Sequence, residues 1–253
     1  MNPNGDVNIS IENQIATIEF YHPSSNSLPG TVLRKLAETI ESAGRNEDVN
    51  VIVLKSGGDR AFCAGASFDE LISITDFPTG KNFFMGFAIV INAMRKCPKF
   101  IICRVQGKAV GGGVGLLSAA DYTLATKYSS VKLSELALGI GPFVVGPAVE
   151  RKIGTSAFSQ MSIDYDWYDA EWAKNRGFYA NIYENIEELD TAVTAFATKM
   201  ASNSPEAMKD LKQVTWAGTE HWDSLLESRA EISGRLVLSD FTKNYIKQFK
   251  ESK

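Results

Sequence analysis

The sequence predicts an α/β fold. Three apolar runs, at 49–54, 100–105 and 122–126, alternate with stretches whose apolar residues recur at helical spacing, the pattern of buried parallel strands joined by helices. Near residue 186 the strand signals stop and amphipathic helices take over.

Each element follows from its local pattern. Val7, Ile9 and Ile11 share one face of an alternating run, Ala16, Ile18 and Phe20 one face of a second, and Asn13-Gln14 lies between them; this is a β-hairpin. After the polar segment 22–27, Leu33, Leu36, Ala37 and Ile40 predict a helix that leads to the strand at 49–54. Phe84, Phe87, Ile91 and Met94 predict the next helix, ahead of the strand at 100–105. A glycine-rich opening then starts an apolar helix that ends near Ala120, before the strand at 122–126. Farther on, Leu189, Val193, Phe196, Ala197 and Met200 make an amphipathic stripe, and Ser204-Pro205 is an N-cap followed by a first-turn proline. The expected organisation is a core over 1–185 and a helical region over 186–253, packed on the core or on a neighbouring subunit, without repeats or long linkers.

Composition narrows the function. A chain of 253 residues with 44% hydrophobic residues can bury a large core. The net charge of −4 is spread along the chain without blocks of one sign, so a nucleic-acid partner is not expected. No stretch reaches the ~20 apolar residues of a membrane span, and the start, Met1 to Asp6, lacks the features of a signal peptide. A soluble, cytoplasmic protein is expected. Cys63, Cys97 and Cys103 are odd in number and lack metal-ligand spacing, which points to reduced thiols and no metal. His22 and His221 have no Cys or Asp neighbours at catalytic spacing and read as surface or packing residues.

Two segments carry chemistry. In Ala61-Phe62-Cys63-Ala64-Gly65-Ala66-Ser67-Phe68, small residues let the backbone be approached, and a helix starting near Ser67 leaves N–H groups without internal partners. An ordinary tight strand-to-helix connection would look the same. In Gln106-Gly107-Lys108-Ala109-Val110-Gly111-Gly112-Gly113, three consecutive glycines would weaken a helix interior by about 1 kcal/mol each. They are better read as opening a helix whose bare N-terminus faces developing negative charge. A phosphate loop is opposed by the lack of a Lys-Ser or Lys-Thr pair after the glycines.

Together, Phe62-Cys63-Ala64-Gly65-Ala66 and Gly107-Lys108-Ala109-Val110-Gly111-Gly112-Gly113 resemble the crotonase (enoyl-CoA hydratase/isomerase) superfamily, and the likeness continues through Ala119-Ala120-Asp121, 134–139, 170–173 and Gly177. The resemblance implies a crotonase-like spiral of ββα units with a C-terminal helical trimerisation region, assembling as a homotrimer or homohexamer. It also implies an acyl-CoA substrate whose thioester enolate is held by the N–H groups of Ala66 and Gly112, with no cofactor beyond the CoA moiety itself. Ala64, Ala66, Ser67 and Phe68, with Phe249 and Lys250 near the C-terminus, are the implied CoA contacts. Glu135 is the implied acid–base residue, in a pocket shared with Gly111, Leu136, Ile140, Pro142 and Phe143.

The chain also departs from that pattern. Hydratases of the family use two glutamates, one just after the triple glycine and one at the position of Glu135, and here the first position is Gly115. Water addition is thereby disfavoured relative to proton transfer by one glutamate, as in enoyl-CoA isomerases. Thioester hydrolysis or decarboxylation, and non-catalytic acyl-CoA binding, are the alternatives. Phe143 stands where family members commonly carry a glycine, which predicts a shortened or reshaped acyl pocket. Asp69 and Glu70 read as first-turn helix acids, Asp121 as structural, and Trp167, Trp172, Trp216 and Trp222 as core or interface anchors.

Overall fold

The computed structural model describes residues 3–251. Its main sheet has six strands, in the order Asp6–Glu12, Ile15–Tyr21, Val51–Ser56, Phe100–Val105, Tyr122–Thr126, Asn181–Tyr183. The first pair is the antiparallel hairpin, with Asn13 and Gln14 in the left-handed region at its turn, and every later pair is parallel. Ile52 and Leu54 face one core, under the helices Gly30–Arg45 and Phe77–Lys96, while Val51 and Val53 face a second. Covering on both faces explains why these strands read as unbroken apolar runs.

The second core is closed by the helix Ile186–Ala201, whose Leu189, Val193 and Ala197 pack on Val51, Ile102 and Leu124. Farther along, the helix Trp222–Leu236 crosses Phe77–Lys96 backbone to backbone. A Cβ at Gly80 would lie 2.9 Å from the Gly234 carbonyl oxygen, and one at Gly234 would lie 2.6 Å from the Lys81 nitrogen. The region after residue 186 therefore packs on its own core at two places. Asp121 is structural: its carboxylate accepts from Ile101 N–H and the Trp216 indole, and pairs with the buried Lys212 at 2.8 Å.

Two small sheets carry the segments of chemical interest. One runs Tyr168–Asp169, Ser130–Lys132, Lys108–Val110, Ala61–Cys63, and the other pairs Ser27–Leu28 with Gly65–Ala66. No helix among the described residues is long and apolar enough to cross a membrane, and no group of three or more His, Cys, Asp or Glu among them is placed to hold a metal. The three cysteines are buried free thiols, and burial pushes that of Cys63 up to about 12.

Candidate active site

The approach to the site is built on two buried amides. Asn26, at φ 56°, accepts from His22 N–H and donates to the carbonyls of Gly57 at 2.9 Å and Ala61 at 3.0 Å. Gln106 donates to the Ser56 hydroxyl and to the same Ala61 carbonyl. These bonds pin the turn that leads into Ala61–Cys63, and with it the Gly65–Ala66 strand. Ser67 is the N-cap of the one-turn helix Phe68–Leu71: its hydroxyl accepts from Glu70 N–H, and its own N–H goes to the Leu28 carbonyl.

The helix Gly112–Ala119 opens at Gly111, at φ 51°, and as its first residue Gly112 has an N–H without an intrahelical acceptor. The triple glycine also has a packing cause that its helix-opening role does not express. A Cβ at Gly111 would lie 2.9 Å from a Glu135 carboxylate oxygen, at Gly112 2.3 Å from the Phe87 ring, and at Gly113 2.5 Å from the Cys63 carbonyl. The two glycine-bearing segments approach closely, since a Cβ at Gly65 would sit 3.2 Å from the Val110 carbonyl and 3.9 Å from the Gly112 nitrogen.

Ala66, Gly112 and Glu135 thereby line one cavity of about 460 Å³. Ala64, Phe68, Gly111, Ile140 and Pro142 share its wall, and Phe83, Phe84, Phe87, Val144 and Val145 make it largely apolar. Glu135 is half-buried as a residue, but its Oε2 is shut off from solvent with no hydrogen-bond partner among the described residues. Desolvation lifts its carboxyl to about 7, against the pull of the Glu135 and Ser134 N–H groups. Such a cavity can polarise a carbonyl with backbone N–H groups and exchange a proton at one carboxylate.

Other residues implied by the resemblance lie off this wall. Ser67 is occupied as a cap, and Leu136, at the start of the 3-10 turn Leu136–Leu138, is 44% exposed, while Ala137 and Leu138 line the cavity. Phe143 does not shorten the pocket. Gly141, at φ 139°, and the turn bond from Phe143 N–H to its carbonyl swing the ring outward into a neighbouring cleft, and Val144 and Val145 line the cavity instead. Phe249 and Lys250 lie in the helix Asp240–Glu251, and their side chains fall outside the described residues. Sequence reasoning missed Tyr245 and Ser233, which bring the C-terminal helices to the cavity wall, and Lys132, which sits three residues before Glu135.

A sequence model of the enoyl-CoA hydratase/isomerase family matches residues 10–252. The chain belongs to the enoyl-CoA hydratase/isomerase family. It is 25% identical over 245 residues to the short-chain-enoyl-CoA hydratase of Clostridium acetobutylicum, covering 96% of this chain and 93% of that protein. Over 204 residues it is 26% identical to the peroxisomal Delta(3,5)-Delta(2,4)-dienoyl-CoA isomerase of Arabidopsis thaliana, covering 75% and 72%. The crystal structure of an enoyl-CoA hydratase from Mycobacterium avium superposes with a TM-score of 0.87 at 25% identity, over 100% of this chain and 98% of that one.

Within this enoyl-CoA hydratase/isomerase family member, Gly115 is buried in a helix of ordinary backbone geometry, so positive φ is not its reason. A Cβ there would meet Val145 at 2.6 Å and Ile91 at 3.3 Å. The side chain of Val145 fills the space that a residue at 115 would need. Asp69 and Glu70 do not line the cavity, and Glu70 accepts from Gly30 N–H at 2.9 Å at the start of the helix Gly30–Arg45. Among the described residues Glu135 is the one carboxylate on the cavity wall.

Proposed function

We propose that this chain isomerises enoyl-CoA thioesters, using Glu135 as a single proton shuttle. The N–H groups of Ala66 and Gly112 form the oxyanion hole, and each such donor contributes roughly 3–4 kcal/mol to the transition state. Glu135 takes the α-proton, the carbonyl oxygen gains the charge, and the same carboxyl returns the proton to the γ-carbon. Ala64 and Phe68 contact the CoA arm, and the reaction needs no cofactor beyond the CoA of the substrate. The observation that carries this reading is Val145 against Gly115. It fills the place of the first glutamate and leaves one carboxyl on the cavity wall, lifted by desolvation to about 7.

The test is incubation with a 3-enoyl-CoA and with crotonyl-CoA in deuterated buffer. Double-bond migration with deuterium incorporation, faster than water addition to crotonyl-CoA, is the expected result. Faster hydration would replace isomerase by hydratase, and release of free CoA or carbon dioxide would point to hydrolysis or decarboxylation. No exchange with any bound acyl-CoA would mean a non-catalytic binder. We also infer a homotrimer or homohexamer formed through the helices after residue 186, where Leu211, Val214 and Phe241 are exposed apolar residues. Light scattering on the intact protein checks it, and a monomer at micromolar concentration would refute it.

A further inference from the structure

We propose that the cleft between the helices Gly146–Asp164 and Pro205–Thr215 binds a short-chain monocarboxylate, held by Arg151 and Lys152. The cleft shares no wall residue with the Glu135 cavity, and the inference does not depend on the isomerase reading. Ser118 and Ala120, at the end of the helix Gly112–Ala119, close one part of it, and Phe100, Leu211 and Trp216 give it an apolar lining. The Ser118 hydroxyl is already spent on the Val114 carbonyl. At about 180 Å³ the cleft has room for about six non-hydrogen atoms, taking the ~30 Å³ that a water occupies in the liquid for each.

The charges on this wall do not balance. Asp121 is its one carboxylate among the described residues, and that charge is met by the buried Lys212 at 2.8 Å, with further hydrogen bonds from Ile101 N–H and the Trp216 indole. Arg151 and Lys152 join no ion pair among the described residues. The half-buried Lys152 donates to the Ala120 carbonyl at 2.8 Å, and an ammonium has further N–H bonds to give. The Arg151 guanidinium lies over the Trp216 ring, 4.7 Å from its centre, a contact that occupies its face and leaves its N–H edge for an acceptor. Because the Trp216 N–H is tied to Asp121, the ring and the cation above it are held in place before a ligand arrives. Burial lowers the proton affinity of Lys152, against the pull of Asp121, and the neighbouring Arg151 lowers it further. A carboxylate in the cleft relieves that depression and accepts from both cations, while its short chain lies against Phe100, Leu211 and Trp216. That lining favours an organic acid over inorganic phosphate.

Calorimetric titration of the intact protein with butyrate, butyramide and inorganic phosphate at constant ionic strength tests this site. One butyrate should bind per chain, with butyramide and phosphate at least ~tenfold weaker, as expected for the loss of a charge-assisted hydrogen bond or of the apolar contact. Arg151 is exposed, so Arg151→Gln leaves the core intact. That variant and Arg151→Gln/Lys152→Met should each weaken butyrate by at least ~tenfold, with thermal melts verifying folding. Saturating crotonyl-pantetheine should leave butyrate bound. Equal binding of butyrate and butyramide, or unchanged butyrate binding in the variants, would overturn the proposal. Release of butyrate by crotonyl-pantetheine would do so too, by placing it in the Glu135 cavity, and phosphate binding as tight as that of butyrate would show that the apolar lining plays no part. Leu211 borders the cleft and is also among the exposed residues inferred for subunit contact. A parent that binds no butyrate would therefore also overturn the proposal, and loss of the oligomer in Arg151→Gln/Lys152→Met would then assign the cleft to a carboxylate of a neighbouring subunit.

Discussion

Replacing Glu135 by Gln should make the protein more stable above pH 7 while removing the proton shuttle proposed above. Burial lifts the Glu135 carboxyl from 4.5 to about 7. At about 1.4 kcal/mol for each tenfold change in proton affinity, ionising it in the folded protein costs about 3 kcal/mol more than in the unfolded chain. Since the folded state holds this proton more tightly, the associated stability is complete below pH 4.5 and is lost as pH rises through about 7. Gln carries no charge to desolvate, but its amide finds no more partners than the orphaned Oε2 does, at a cost of about 1 kcal/mol. Glu135→Gln should therefore gain about 2 kcal/mol at pH 8 and lose about 1 kcal/mol near pH 4.5, shifting Tm by roughly 2–4 °C per kcal/mol for a chain of this size. Paired thermal melts across this pH range read the difference, and α-proton exchange measured alongside should fall by at least ~10²-fold. If the Tm difference between parent and variant is the same at both ends of the range, Glu135 is not a desolvated carboxyl and the mechanism loses its base.

The remaining expectations concern pH and packing. The kcat/KM for α-proton exchange should rise with pH and level off above about 7, as the Glu135 carboxyl becomes a base; a flat profile measured on a range of acyl-CoAs would place the base elsewhere. Gly115→Ala should destabilise by about 1–3 kcal/mol through contact with Val145, despite alanine's better helix propensity, and Gly115→Ala/Val145→Ala should recover stability, both read from denaturant melts. Gly115→Glu/Val145→Gly should raise water addition to crotonyl-CoA relative to isomerisation, which an absorbance assay of the enoyl thioester can follow. Asn26→Ala should cost about 2–4 kcal/mol, because it leaves the Gly57 carbonyl without its Asn26 donor and removes a residue suited to positive φ; a melt unchanged within 1 °C would show that the turn is held by Gln106 alone.

Most of the main sheet was legible because its strands are long and their burial is simple. Val51–Ser56 and Phe100–Val105 are covered on both faces and read as continuous apolar runs, and the hairpin alternates cleanly up to Asn13-Gln14. The small sheet was not legible. Its strands hold two or three residues each, too few for any period, and Lys108–Val110 lies inside a segment whose glycines dominate the reading. For the site, the family resemblance carried by the two small-residue segments implied Ala66, Gly112 and Glu135, which share one cavity. The direction of Phe143 depends on the backbone of Gly141, two residues earlier, and a list of side-chain sizes does not contain it. Lys132 and Tyr245 escaped because register and helix docking, not local pattern, bring them to the wall.

The crossing at Gly80 and Gly234 bears on how the protein selects its substrates. Phe83, Phe84 and Phe87 stand on one of the crossed helices and Ser233 on the other, so cavity residues from both helices are fixed by a contact that has no side chain to compress. Such a joint has little give, and the helices respond to a bulky acyl group together or not at all. Acceptance of larger substrates should then change in jumps, each set by trimming a phenylalanine or a valine of the wall, rather than grading smoothly with chain length. Acyl tolerance would then be a mechanical property of two glycines that do not line the cavity.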